Sequence, residues 1–193
     1  GTSFPQAMAV AATGHPEDAY AMGKITALEG RAAGVPWIFA PVADVNSNPG
    51  NPVINVRSFG EDPERVGAFA AAFVRGVQEN GGLATVKHFP GHGDTDVDSH
   101  LDLPTVCGDR TRLERVELPP FCAAIEAGVS GVMTAHLAVP ALEPDANLPA
   151  TLSEKITTET LRREMGIDRP EVTDELSMNG THKLDCPGEQ AVR

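Results

Sequence analysis

Apolar and polar positions along this chain fall into alternating blocks. Short apolar runs follow longer stretches in which apolar residues recur every three or four positions. After an irregular start, residues 17 to 33 (EDAYAMGKITALEGRAA) carry the helical spacing and stop before Gly34, a suitable C-cap. VPWIFAPVADV, residues 35 to 45, is rich in β-branched and aromatic residues and runs into NSNPGNP, dense in turn formers, so it predicts a strand and then a loop.

The cycle then repeats. Asp62-Pro63 opens a second helix, with proline at its first position, that continues through ERVGAFAAAFVRGVQEN to Gly81-Gly82. LATVKHF is the next predicted strand and GHGDTDVDSH its loop. Residues 110 to 127 predict a third helical region, divided at Pro119-Pro120 into two helices, and GVMTAHLAV follows as a strand. Residues 153 to 165 predict a fourth helix capped by Ser153, and VTDELSM a final short strand with its exit. Just upstream, Arg169, Pro170 and Glu171 do not suit a buried parallel strand.

Strand and helix therefore alternate at least three times. That pattern implies an α/β fold with a parallel sheet and crossover helices, either a (β/α) barrel or a doubly wound sheet. No internal repeat and no low-complexity linker divides residues 1–193 into further domains.

Composition narrows the partners. With 41% hydrophobic and 22% charged residues the chain reads as globular. Fifteen basic against twenty-seven acidic residues leave a formal charge of -12 without a Lys/Arg cluster, which disfavours nucleic acid and anionic membranes. No apolar run approaches the roughly 20 residues of a membrane span. Cys107, Cys122 and Cys186 are odd in number and lack CxxC spacing, as expected of buried or incidental thiols. They lean towards a reducing, cytoplasmic compartment, with a secreted or periplasmic setting left open.

Candidate chemistry collects at one end of the predicted strands. Asp44, Lys87, His88, His136 and Asp174 all fall near carboxyl ends, where barrel enzymes build their sites. The densest stretch is KHFPGHGDTDVDSH, residues 87 to 100. A metal site fits it poorly: His88 and His92 have i, i+4 spacing, but Pro90 and the flanking glycines forbid a regular helix, and no calcium-loop layout is present. A solvated Gly/Asp turn holding core histidines is the plain alternative. In Asp98-Ser99-His100, however, a carboxylate two residues from an imidazole can orient it as a general acid/base. Asp174, at a strand exit, reads either as a nucleophile or as an N-cap.

KHFPGHGDTDVDSH, preceded by APVADVNSNPGNPVINVRSFGEDP and followed by VTDELSM, resembles glycoside hydrolase family 3, specifically its bacterial β-N-acetylglucosaminidases. The similarity runs from GTSFPQAMA to PGEQAVR, and the Asp-Ser-His loop sets these enzymes apart from family 3 β-glucosidases. The resemblance implies that Asp174 is the nucleophile of a retaining mechanism. His100 would be the acid/base, with Asp98 its dyad partner, and Arg57, Lys87 and His88 would bind the sugar. Such a dyad departs from the usual pair of carboxylates about 5 Å apart.

The implied fold is a (β/α)8 TIM-type barrel, here incomplete and lacking the first and last strands. The implied substrate is a small saccharide with terminal β-linked N-acetylglucosamine from cell wall or chitin, with no cofactor and no metal. A related phosphorylase, a non-catalytic sugar-binding or inactive fragment, and more distantly a metal-dependent hydrolase are the competing readings. Open barrel edges would also invite self-association.

Overall fold

In the computed structural model, residues 1–98 and 102–178 are described. Ser99, His100 and Cys186 lie outside them. The fold is α/β: four strands form one parallel sheet in the order β1-β2-β3-β4, where β1 is Trp37–Ile38, β2 Leu83–Phe89, β3 Gly131–Thr134 and β4 Glu171–Thr173. Sequential order with every neighbour parallel requires a crossover after each strand, and the helices supply these.

The helices are α1 Ala7–Ala11, α2 Pro16–Ala32, α3 Pro63–Gln78, α4 Arg110–Arg115 and α5 Pro119–Glu126. Helix α3 starts where expected: Pro63 needs no intrahelical donor, and Asp62 accepts from Arg65 N at 2.8 Å. Its apolar stripe, including Val66, Phe69, Phe73 and Val77, is buried. Helices α2 and α3 cross so closely that a Cβ on Gly76 would sit 2.1 Å from the Tyr20 carbonyl oxygen. Phe89 of β2 meets Phe121 of α5 edge-on at 5.4 Å, tying a crossover helix to the central strand.

Four expectations are corrected in detail. The segment before residue 17 contains the short α1. The strand expected over residues 35–45 is laddered only at Trp37–Ile38, because Pro36 and Pro41 have no N–H to contribute. Beyond the ladder the segment still tracks β2 through single bonds, Thr85 N to Ala40 O at 3.0 Å and Ala43 N to Lys87 O at 2.7 Å. The helix expected over 153–165 is wound as a π-helix, Lys155–Glu164, with Ser153 Oγ accepting from Ile156 N at 3.3 Å. Glu171 does enter a strand, pairing with Val132. Among the described residues β4 is the last strand of the sheet, and the Glu171 carboxylate meets Arg162 at 2.6 Å.

The core lies between the sheet and helices α3 and α5, around Phe69, Phe73, Val86, Phe89, Phe121 and Val132. Among the described residues no helix is long and apolar enough to cross a membrane.

Candidate active site

Strand exits bring the polar residues together around a buried carboxylate. Asp44, fully buried beyond β1, accepts the His88 ring Nδ1–H at 2.7 Å, the His92 backbone N–H at 2.7 Å and the His88 backbone N–H at 3.3 Å. Burial alone would raise its pKa. The charge and hydrogen bond of His88, helped by His92, outweigh that and hold it below the ordinary carboxylate value.

An ionised Asp44 settles how His88 is wired. Nδ1 donates to Asp44, and Nε2 on the other side of the ring stands 3.4 Å from Arg57 Nη2. His88, expected to meet a sugar hydroxyl, is thus a buried link between Asp44 and Arg57 with both ring nitrogens facing protein partners. The preceding Lys87–His88 peptide is cis.

Arg57 sits in a 3-10 turn, Asn55–Arg57, and also donates to the Val53 carbonyl at 3.2 Å. That turn is pinned by Asn51, which sequence reasoning treated only as a turn former. Its Oδ1 accepts from Val53 N and Ile54 N, each at 2.8 Å, while Nδ2 donates to the His92 carbonyl at 2.8 Å. One buried amide therefore joins the Arg57 turn to the loop after β2. The only signal for it in the sequence was its place in a turn-rich run.

Lys87, at the β2 exit, is close enough to its neighbours to feel their charges. Burial and the Arg57 charge lower its pKa, while Asp174 and Asp44 pull it back up. Asp174 is the first residue beyond β4, anchored by its N–H to the Thr134 carbonyl at 3.0 Å, and its Oδ1 accepts from Glu175 N at 2.9 Å. The charges of Arg57 and Asp174 thus both reach Lys87 at the strand exits. A cavity of about 260 Å³ has Phe39, Pro41, Phe59, Arg57 and Lys87 in its wall.

The loop after β2 is built tightly against this centre. A Cβ on Gly93 would fall 1.7 Å from the Val45 carbonyl oxygen, so only glycine lets the loop lie there. His92 Nδ1 is 2.7 Å from Thr95 Oγ1, and burial lowers the pKa of its ring against the pull of Asp44. Asp94 is gripped by Arg112 at 2.9 Å. Asp98 follows, half-buried, and His100 lies outside the described residues. Among the described residues no group of three or more His, Cys, Asp or Glu side chains is arranged to hold a metal.

A parallel α/β sheet with cations and a carboxylate gathered at its strand exits has the layout of an enzyme that handles a polar small molecule. The chain belongs to glycoside hydrolase family 3: the model of the "Glycosyl hydrolase family 3 N terminal domain" matches residues 1–193. It is 44% identical over 205 residues to a curated relative, β-hexosaminidase A of Pseudoalteromonas piscicida, covering 99% of this chain and 34% of that one. A solved family 3 β-N-acetylglucosaminidase from Paenibacillus sp. str. FPU-7 superimposes with a TM-score of 0.96 at 52% identity, over 99% of this chain and 36% of that one. A solved β-glucoside phosphorylase gives a TM-score of 0.91 at 34% identity, over 95% and 34%. The chain spans about a third of the length of these proteins.

Proposed function

We propose that this chain is part of a retaining exo-β-N-acetylglucosaminidase that removes terminal β-linked N-acetylglucosamine from cell-wall or chitin-derived saccharides. The observation that carries this reading is that the charges of Asp174 and Arg57 both reach Lys87 at the strand exits. A carboxylate near such cations is equipped to attack an anomeric carbon, while the cations hold sugar hydroxyls. In the same reading the sheet is a portion of a (β/α)8 barrel, incomplete in its first and last strands, and a cytoplasmic setting is part of the proposal.

The steps follow from the residues. Asp174 attacks the anomeric carbon as His100, steadied by Asp98, donates a proton to the departing glycosidic oxygen. A glycosyl ester forms on Asp174. The imidazole, now neutral, takes a proton from water, which displaces Asp174 and releases the sugar with retained configuration. Arg57 and Lys87 orient the ring.

A second reading has a specific support. The likeness to a β-glucoside phosphorylase, together with the paired cations, suits phosphate in place of water at the second step. Phosphate-dependent release of sugar 1-phosphate separates the two.

The experiment is intact mass after incubation with 5-fluoro-N-acetylglucosaminyl fluoride, with Asp174→Ala as control and a circular dichroism melt alongside. One adduct, absent from the control, is expected. A cooperatively folded chain that takes no adduct would refute the nucleophile and leave a sugar-binding or inactive fragment.

A further inference from the structure

His136 shares the strand-exit face with the residues above, yet the chemistry just described does not use it. It is buried two residues beyond β3, with Nε2 3.0 Å from the Glu175 carbonyl oxygen and Nδ1 3.0 Å from Thr151 Oγ1. A carbonyl oxygen only accepts, so the contact with Glu175 requires a proton on Nε2. Thr151 Oγ1 is also 2.9 Å from the Ala135 carbonyl, and its one proton can serve either neighbour.

Two consistent states result. In neutral imidazole the Thr151 hydroxyl donates to Nδ1. Once Nδ1 is protonated, the hydroxyl turns to Ala135. The Nε2–H bond to Glu175 survives in both. Burial lowers the His136 pKa against the pull of the Glu175 carbonyl and the Asp174 charge, which favours the neutral form at neutral pH.

Glu175 is also the residue whose amide holds Asp174 Oδ1 at 2.9 Å, and the Asp174 amide is itself tied to Thr134 on β3 at 3.0 Å. Two bonds from the β3 exit therefore bracket the turn that carries the carboxylate. We propose that His136 is a positioning residue for the Asp174 nucleophile: by donating Nε2–H to the Glu175 carbonyl it fixes the 175–176 peptide, and through the Glu175 Cα it restrains the adjoining 174–175 peptide, whose N–H orients the attacking carboxylate. This rests on Asp174 being the nucleophile. A ring that merely fills space would serve as well without its nitrogens.

The test compares His136→Gln, whose amide can reach the same carbonyl as a donor, with His136→Phe, which keeps an aromatic ring and loses the donor. The readouts are the rate of adduct formation with the fluoride reagent and the backbone amide resonances of Asp174 and Glu175. Expected are a slowing of about 100-fold for His136→Phe, the scale of a misplaced reacting group, rescue to within about tenfold by His136→Gln, and displaced Asp174 and Glu175 resonances only in the Phe variant. Wild-type labelling rates in His136→Phe, or equal losses in both variants, would overturn the proposal.

If the wild-type chain takes no adduct, the nucleophile assignment has failed, and the resonances alone decide whether His136 orders the turn. Nitrogen-15 spectra of the wild-type imidazole need no variant. A protonated Nε2 with unprotonated Nδ1 is expected, and the reverse tautomer would overturn the clamp.

Discussion

Glu117, between α4 and α5, offers a direct check on how burial sets the electrostatics behind the loop after β2. Its side chain is buried against Gly91, where a Cβ would come within 2.9 Å of it. Among the described residues neither carboxyl oxygen has a hydrogen-bond partner, although Arg112 Nη2 stands 3.2 Å from Oε1 as an ion pair while its Nη1 meets Asp94. Burial raises the pKa from 4.5 to about 7 despite Arg112. Between those values the native chain holds a proton that the unfolded chain has released, so stability is full below pH 4.5 and is lost as pH rises through about 7. At ~1.4 kcal/mol per pH unit, the gap from 4.5 to about 7 is worth about 3 kcal/mol. Glu117→Gln removes the ionisation and keeps the shape. In urea unfolding the variant is expected to match wild type at low pH and to exceed it by up to about 3 kcal/mol at pH 8. A difference that stays flat with pH, or grows in favour of wild type, would refute the reasoning.

Asp44→Ala leaves three donors facing a buried gap and is expected to cost about 3–5 kcal/mol in urea unfolding. The lowered Asp44 pKa places its stabilising contribution above the ordinary aspartate value of about 3.9 and removes it as pH falls through the folded value. Asp44→Asn should therefore flatten the acid limb of the stability curve. Gly93→Ala pushes a methyl into the Val45 carbonyl and is expected to lose about 3 kcal/mol and broaden the His92 resonances. The β1 edge leaves Trp37, Phe39 and Leu83 exposed, so concentration-dependent sedimentation is expected, weakened by Phe39→Lys; a monodisperse monomer at all concentrations would end that idea.

The alternation of strands and helices was legible because it rests on spacing and punctuation within a few residues of each element. Asp62-Pro63, Pro119-Pro120 and Gly34 mark helix boundaries through backbone chemistry that no distant contact overrides. The misreadings share a cause. Over residues 35–45 the β-branched and aromatic content outweighed two prolines whose missing donors break the ladder, and Glu171 reads as unfit for a strand until its pairing with Val132 is known.

Asp44, Lys87, His88, His136 and Asp174 could be placed near strand exits from the sequence alone, since strand exits follow from local pattern, whereas Asp98 and His100 were read from the Asp-Ser-His loop and Arg57 entered only through the family resemblance. Their wiring was decided only by the tertiary structure. His88 meets Asp44 across 44 positions and Arg57 across 31, Asn51 reaches the His92 carbonyl across 41, and His136 reaches Glu175 across 39. Hydrogen bonds act over about 3 Å, so a side chain's partner is chosen by which strand exits the fold brings side by side.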